Sequence, residues 1–301
     1  MLRTAERSGI WKPFRIVATL ASDPLEAWTT VYDHILTERD RRNGRAFEHV
    51  PTDLYRADVD WERRYHEMLG CPWPCDAISE FWRTYRSVVS EVEAKGIKVG
   101  PETFKGNNDG DAGLVRAIWC FIRHRRPLAV VETGVAHGMT TRLILEAMEL
   151  NRKGRLWSID RPPHERALRA EIGIAVGHRF RDRWSLICGA SRRHLPRLLL
   201  QLGQVDLFIH DSLHTEQNVR FELDHVWPIL RAGGTVVVDD IDANWGFRSF
   251  RETFSGHASL VCEAEPARPD LRRFNNKGLF GILVKDPQMS AHGAPNQLVN
   301  G

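Results

Sequence analysis

The sequence predicts an α/β fold, in which a doubly wound, mostly parallel sheet follows a helical N-terminal extension. From about residue 112, short continuous apolar runs alternate with segments of helical periodicity. Strands that are buried on both faces of a parallel sheet show this pattern. Several apolar runs end abruptly in polar or acidic residues, as in "VDLFIHDS". Ligands bind outside the carboxyl ends of such strands, so we expect a functional site at these ends.

The individual elements follow from the apolar runs and from helical spacing. Strands are predicted at residues 128–133, 154–160, 184–190, 205–210, 235–241 and 278–285. Helices are predicted at residues 113–125, 138–152, 165–177, 191–203 and 217–230. Because a helix separates each of the first five strands from the next, these strands are predicted to be parallel.

Residues 1–100 are predicted to form a helical lid or oligomer contact, ahead of a main domain at 101–286 and a flexible tail at 287–301. The first clear helix begins after Asp23, a capping residue type, with Pro24 in its first turn. Its apolar residues recur at helical spacing. They are Leu25, Trp28, Val31, Tyr32 and Ile35. The tryptophan-rich composition of this region favours packing onto another surface or over a pocket.

The 301 residues carry a formal net charge of +3, with 42% hydrophobic and 27% charged residues, as in an ordinary globular protein. No apolar run reaches the length of a membrane span and no basic strip carries interleaved aromatics, so neither a membrane nor a nucleic-acid partner is predicted. Five scattered cysteines suggest no disulfide framework, which favours a reducing cytoplasm. The "CPWPC" stretch from Cys71 to Cys75 is interpreted as a structural turn, since no second pair follows at zinc-ribbon spacing.

A glycine-containing turn follows the first predicted strand, in "VVETGVAHGMTT". Gly134 and Gly138 would allow the backbone to approach a ligand closely, next to the free N–H groups of a helix N-terminus, with Glu132 just before them. Ala136 and Met139 occupy the positions of the second and third glycines of the dinucleotide fingerprint. The turn therefore indicates a nucleotide-like ligand and argues against NAD.

Asp160 ends the second predicted strand, 22 residues after Gly138 (160 − 138). An acid at this place accepts hydrogen bonds from the ribose hydroxyls of a dinucleotide or of an adenosine-type cofactor. The alternative interpretation is a helix cap ahead of Pro162 and Pro163.

Three carboxylates and a histidine follow the fourth and fifth predicted strands. Asp211 and His214 come after the fourth strand, and Asp239 and Asp240 after the fifth. Adjacent parallel strands bring these ends together, where three carboxylates would repel each other unless a cation neutralised them. A hard divalent ion with oxygen ligands is expected, and Mg²⁺ fits best. Taken separately, Asp239 or Asp240 could instead cap the following turn, and His214 could serve as a loop hydrogen-bonding residue.

Residues 110–285 resemble class I S-adenosylmethionine-dependent methyltransferases, which have a Rossmann-like fold. The pattern Glu-x-Gly-x-x-x-Gly-x-Thr and the Asp-x-x-His followed by two adjacent acids are most similar to the macrocin- and mycinamicin-type metal-dependent O-methyltransferases and the cephalosporin hydroxylase-like proteins. The resemblance implies that three residues line the methionine end of S-adenosylmethionine, that Asp160 holds the ribose and that Ser191 contacts the adenine. The three residues at the methionine end are Glu132, Gly134 and Gly138.

The resemblance further implies that Asp211, Asp239 and Asp240 bind Mg²⁺ and that His214 is the catalytic base. Asp239 departs from that subfamily, which often has glutamate there. The function predicted is a Mg²⁺-assisted O-methyltransferase that uses S-adenosylmethionine and acts on a hydroxyl of a small molecule or glycoside, with a homo-oligomer left open. The alternatives are an NAD-linked oxidoreductase, a non-catalytic nucleotide-binding protein and an iron-dependent oxygenase, for which the carboxylate-rich cluster is a poor match.

Overall fold

Seven strands form one sheet within the residues that the computed structural model describes, which are 23–99, 110–161, 169–265 and 278–290. The strands are β1 (Ala129–Thr133), β2 (Arg155–Asp160), β3 (Trp184–Cys188), β4 (Val205–His210), β5 (Leu230–Val238), β6 (Ala258–Glu263) and β7 (Leu279–Val284). Their order in the sheet is β3-β2-β1-β4-β5-β7-β6. The first five strands are parallel, and β7 pairs antiparallel with both β5 and β6. The predicted mostly parallel α/β fold is therefore confirmed.

Helices precede the sheet and cover both of its faces. They are α1 (Pro24–Arg42), α2 (Trp61–Met68), α3 (Asp76–Ala94), α4 (Ala112–Arg125), α5 (Met139–Asn151), α6 (Ser191–Leu202), α7 (Glu216–Val226), α8 (Gly246–Thr253) and α9 (Pro287–Ser290). Short 3₁₀ helices lie at Phe47–His49, His178–Phe180, Trp227–Ile229 and Ile241–Ala243. Among the described residues, none of the helices is long and apolar enough to cross a membrane.

Alternate side chains of the central strands enter two apolar cores, one on each face of the sheet. On β4, Leu207 and Ile209 belong to the core that also contains α4 and α5, whereas Phe208 belongs to the core with α7 and α8. Tyr65 of α2 and Phe81 of α3 lie in the first core. The N-terminal helices α2 and α3 thus share an apolar core with the sheet.

The register of the strands aligns their carboxyl ends. Thr133 pairs with His210, and His210 pairs with Val238, so β1, β4 and β5 end at the same level. Asp160 pairs with Cys188 at the ends of β2 and β3. The loops that follow these strands therefore meet along one edge of the sheet.

Helix α1 is present as predicted, but most of its apolar residues face solvent. Leu25, Trp28 and Ile35 are 64%, 67% and 56% exposed, whereas Asp33 and Asp40 are 6% and 2% exposed. Trp28 of α1 therefore does not pack onto the domain, whereas Trp61 of α2 lies in the first core. Helix α1 instead attaches through carboxylates, which bind groups that lie far away in the sequence.

Three further differences concern single elements. Strand β6 was not predicted, although β7 was. The helix predicted at 165–177 begins outside the described residues, and residues 170–176 form turns. The first four residues of the predicted tail form α9, and the remainder lies outside the described residues.

Candidate active site

The glycine turn after β1 is shaped by close packing within the chain. Gly134 and Gly138 have φ angles of +87° and +85°, which are strained for residues with side chains. A Cβ at Gly134 would lie 1.8 Å from the carbonyl oxygen of Asp211, and one at Gly138 would lie 3.0 Å from Cα of Gly173. Both glycines are therefore required for the loops of β1, β4 and residue 173 to meet.

Glu132 lies beneath this turn in a fully buried polar network. Its Oε2 accepts hydrogen bonds from the hydroxyls of Thr141 (2.8 Å) and Ser158 (2.7 Å), and Trp184 Nε1 donates to the same serine (2.9 Å). Burial raises the pKa of Glu132 to about 7, against the lowering effect of the two hydroxyls. Its Oε1 is buried and has no hydrogen bond within the described part of the chain, so it could accept one from a cationic ligand.

Asp160 ends β2 and organises the same turn. Its Oδ2 accepts hydrogen bonds from the backbone N–H groups of Val135 (3.1 Å) and Ala136 (2.9 Å). Burial raises the pKa of Asp160 to about 6, although these N–H groups lower it. Since a carboxylate has about four acceptor positions, the group can hold the turn and still accept from a ligand hydroxyl.

The four predicted residues of the acid cluster converge at the ends of β4 and β5. Nε2 of His214 lies 3.7 Å from Oδ1 of Asp211 and 3.7 Å from Oδ2 of Asp240. Potential ligand atoms of Asp211, His214 and Asp239 all lie within 4.8 Å of one another. The side chain of Asp240 is 9% exposed and that of Asp211 is 33% exposed. Convergent carboxylate oxygens that remain partly open to solvent are the donor set that Mg²⁺ prefers.

Backbone hydrogen bonds fix the positions of these acids. The N–H of Asp211 donates to the carbonyl of Thr133 (2.8 Å), and the N–H of Asp239 donates to the carbonyl of His210 (2.9 Å). Asp240 has a φ angle of +47°, a conformation that aspartate tolerates better than most residues. The acid cluster and the glycine turn are thus continuous, because Asp211 touches both.

A buried carboxylate that sequence reasoning missed, Glu222 on α7, supports this edge of the sheet. It accepts hydrogen bonds from four side chains, and we call this group the Glu222 hub. The donors are Thr133 Oγ1 (2.6 Å), His210 Nδ1 (2.7 Å), Ser212 Oγ (2.8 Å) and Asn218 Nδ2 (3.1 Å). Burial raises the pKa of Glu222, but the charge of His210 and the hydrogen bonds outweigh it and bring the pKa to about 2. The available signal was an acid on the apolar stripe of α7, beside Val219, Leu223 and Val226.

Ser191 begins α6, directly after the loop that follows β3. The loop just before it is covered by α1. Oε1 of Glu26 accepts from the N–H of Ala190 (2.9 Å) and from Nε of Arg161 (3.2 Å). Helix α1 therefore lies over the ends of β2 and β3, where the sequence predicted the ribose and adenine contacts.

His210, at the end of β4, is fully buried. Its ring meets that of His214 edge to face, with 5.5 Å between the ring centroids. The hydrogen bond to Glu222 fixes the orientation of its ring. His210 therefore supports His214 from inside the protein.

Comparison with known proteins identifies part of the chain. Residues 131–241 match a family model described as "Methyltransferase domain". No curated protein matches the sequence significantly. The match spans β1 to the residues after β5 and therefore includes the glycine turn, Asp160 and the whole acid cluster.

Similar solved structures include the O-methyltransferase from Bacillus cereus in complex with SAH (13% identity, 74% of this chain and 97% of that chain, TM-score 0.45). A second is the SAH-bound Podospora anserina methyltransferase PaMTH1 (14% identity, 77% of this chain and 99% of that chain, TM-score 0.40). A third is the O-methyltransferase TomG from Streptomyces achromogenes, involved in tomaymycin synthesis, in complex with SAM (16% identity, 76% of this chain and 100% of that chain, TM-score 0.43). Identities and TM-scores this low transfer no functional detail to this chain. The matched domain carries the assignment: residues 131–241 form a methyltransferase domain.

Proposed function

We propose that the protein is a Mg²⁺-assisted O-methyltransferase that acts on a hydroxyl of a small molecule or glycoside. The observation that carries this proposal is the convergence of Asp211, His214, Asp239 and Asp240 directly beside the glycine turn. A cluster of this composition can bind a hard cation and remove a proton, which are the two tasks of acceptor activation. The sequence resemblance to macrocin- and mycinamicin-type enzymes supports the same function.

For the cofactor, we propose that Glu132, Gly134 and Gly138 line the methionine end, Asp160 binds the ribose and Ser191 lies near the adenine. The buried Oε1 of Glu132 supports this assignment, because a cationic amino group would supply its hydrogen bond. The acceptor capacity of Asp160 also fits ribose hydroxyls. When bound, the cofactor supplies an electrophilic methyl group.

For the metal, Asp211, Asp239 and Asp240 are the proposed ligands. Mg²⁺ at this position would lower the pKa of a coordinated hydroxyl. His214 accepts the hydroxyl proton at Nε2, which faces Asp211 and Asp240. Both carboxylates, each 3.7 Å away, stabilise the positive charge that the imidazole then carries. Acceptors with two neighbouring oxygens, such as vicinal diols of sugars or natural products, suit an ion with open positions.

The five cysteines are all free thiols, which is consistent with the reducing cytoplasm expected from the sequence. Helix α1 covers the loop that precedes the proposed adenine contact, because Glu26 accepts a hydrogen bond from the N–H of Ala190, and this supports a role of α1 as a lid.

A calorimetric titration tests the cofactor assignment first. S-adenosylmethionine and NAD are each titrated into the full chain, with Mg²⁺ and with EDTA. We expect binding of S-adenosylmethionine alone, and weaker binding for Asp160→Asn. Binding of NAD without S-adenosylmethionine would contradict the assignment.

Methyl transfer to a panel of diol acceptors then tests the acid cluster. Replacing the base, as in His214→Gln, should lower kcat about 10²–10⁴-fold, while Asp211→Asn should remove the Mg²⁺ dependence together with most activity. Asp224→Asn is the matched control, since Asp224 pairs with Arg220 on the exposed side of α7. Activity that survives both EDTA and the His214 substitution would show that the cluster does not activate the acceptor.

A further inference from the structure

A second group of potential metal ligands lies among the N-terminal helices, apart from the acid cluster. It consists of His66 near the end of α2, Cys75 directly before α3, and Cys120 and His124 on α4. None of these residues takes part in the methyl-transfer function proposed above, so the two ideas stand or fall separately. We call this group the Cys₂His₂ cluster.

The donor atoms of the cluster converge. Ligand atoms of His66, Cys75 and Cys120 all lie within 4.8 Å of one another, and Sγ of Cys75 lies 3.0 Å from Nε2 of His124. Zinc bonds of about 2.3 Å to sulfur and about 2.0 Å to nitrogen imply donor separations of about 3.3–3.8 Å in a tetrahedral site. The donors of His66, Cys75 and Cys120 therefore lie close to zinc geometry, and a movement of the His124 side chain, which already contacts Cys75, would complete it.

His66 is oriented as a metal ligand. Its ring is 1% exposed, and Nδ1 lies 2.7 Å from the carbonyl oxygen of Glu62. A carbonyl only accepts hydrogen bonds, so Nδ1 carries the proton and Nε2 presents its lone pair. Nε2 is buried and has no hydrogen bond within the described residues. Metal-bound histidines typically donate their other N–H to a carbonyl in this way.

The sulfur ligands fit as well. Cys120 and His124 are four residues apart on α4, which places both on one face of the helix. Cys75 is 9% exposed and Cys120 is 2% exposed, so both thiols are shielded from solvent. The thiolate is the form that binds metals.

Soft donors of this kind select zinc over magnesium. We propose that His66, Cys75, Cys120 and His124 bind one Zn²⁺ ion, which fastens α2 and α3 to α4. This site could not be predicted from the sequence, because only Cys120 and His124 of the four residues have the close spacing of a metal-binding motif. The "CPWPC" stretch supplies one ligand, since Sγ of Cys71 instead donates to the carbonyl of Leu69 (3.4 Å).

Metal analysis of the full chain, purified under reducing conditions and loaded with zinc, tests the proposal. We expect one tightly bound zinc per chain, with two sulfur neighbours at about 2.3 Å and two nitrogen neighbours at about 2.0 Å by X-ray absorption. Cys120→Ser and His124→Gln should lose the ion, whereas Cys71→Ser should keep it. Loss of zinc from Cys71→Ser would overturn the ligand set.

A second measurement uses the unmodified chain, so the test does not depend on the variants being able to fold. Removing zinc with a chelator should lower Tm, and zinc should restore it where excess Mg²⁺ does not. Cobalt substitution should give a thiolate-to-metal charge-transfer band of two-sulfur intensity. The proposal would be refuted if the chain retained no zinc after incubation with it, or if the bound zinc had only oxygen and nitrogen neighbours. A Cys75–Cys120 disulfide found under the same reducing conditions would refute it too.

Discussion

Substituting glutamine for Glu222 removes the negative charge at the centre of the Glu222 hub while nearly preserving its volume. The carboxylate accepts four hydrogen bonds, from Thr133, His210, Ser212 and Asn218. The single amide oxygen of glutamine can serve two of these donors, and its NH₂ group faces the rest. The ionic hydrogen bond with His210 is lost in every arrangement, and a bond of this type contributes about 1.5–3 kcal/mol.

The pKa of Glu222 gives a second estimate of the same free energy. Its ordinary value is 4.5 and its value in the fold is about 2, a difference that corresponds to about 3 kcal/mol of stabilisation at pH 7. Since the pKa in the folded state lies below the unfolded value, this stabilisation is present above about pH 4.5 and is lost as the pH falls towards about 2. We therefore expect Glu222→Gln to lower the free energy of unfolding by about 3 kcal/mol at pH 7 and by about 2 kcal/mol at pH 3.5.

Urea unfolding at the two pH values measures this difference. Asp224→Asn on the same helix is the control, because its exposed pair with Arg220 is expected to contribute less than about 0.5 kcal/mol. A Glu222→Gln protein as stable as the unsubstituted chain at pH 7 would refute the hub as a source of stability. An effect that does not shrink on acidification would refute the assignment of that stability to charge.

Three other predictions concern the turn and the helix above it. Glu132 has a pKa raised to about 7, so its contribution to stability is present below about pH 4.5 and is lost as the pH rises through 7. Urea unfolding should therefore show Glu132→Gln gaining about 2–3 kcal/mol of unfolding free energy relative to the unsubstituted chain between pH 5 and pH 8. A difference that stays constant between these pH values would contradict this. Gly134→Ala should cost at least about 2 kcal/mol of unfolding free energy and weaken cofactor binding, because the new Cβ would meet the carbonyl of Asp211; unchanged urea and calorimetric curves would argue that the turn tolerates a side chain. Asp33→Asn, which weakens the ion pair with Arg161, should speed amide exchange in residues 24–42 while leaving the sheet protected, with the exposed Glu38→Gln as its control.

Sequence patterns predicted the sheet because the physics of its strands is local. A strand that is buried on both faces can be recognised from its own apolar residues, without information about the neighbouring strands. Parallel strands in one sheet also place their carboxyl ends at a common edge. The convergence of Asp211, Asp239 and Asp240 follows from these two facts. Strand β6 was not predicted because "ASLVCE" contains only a short apolar run. It lies at the edge of the sheet and has a single partner strand, so its sequence pattern is weak.

The features that were missed depend on pairs of residues far apart in the chain. Asp33 can be buried because it forms ion pairs with Arg161 and Arg192. Both arginines are more than a hundred residues away in the chain, so helical periodicity contains no information about them. Glu222 resembles a surface acid until the donors from β1 and β4 surround it. The same holds for His66, because its proposed role as a ligand depends on the thiols of Cys75 and Cys120, which lie elsewhere in the chain.

The way α1 is attached has a consequence for how the protein responds to its solvent. The face that Glu26, Asp33 and Asp40 turn towards the domain is rich in carboxylates, with Ala27 and Leu36 as its buried apolar residues, whereas Leu25, Trp28 and Ile35 are open to water. Attraction between charges weakens as the Debye length falls from about 10 Å at 0.1 M salt to about 3 Å at 1 M, whereas apolar burial does not. Salt concentration therefore acts on α1 while the sheet keeps its structure. Since α1 lies over the loops of β2 and β3, ionic strength would set how closely these loops are covered.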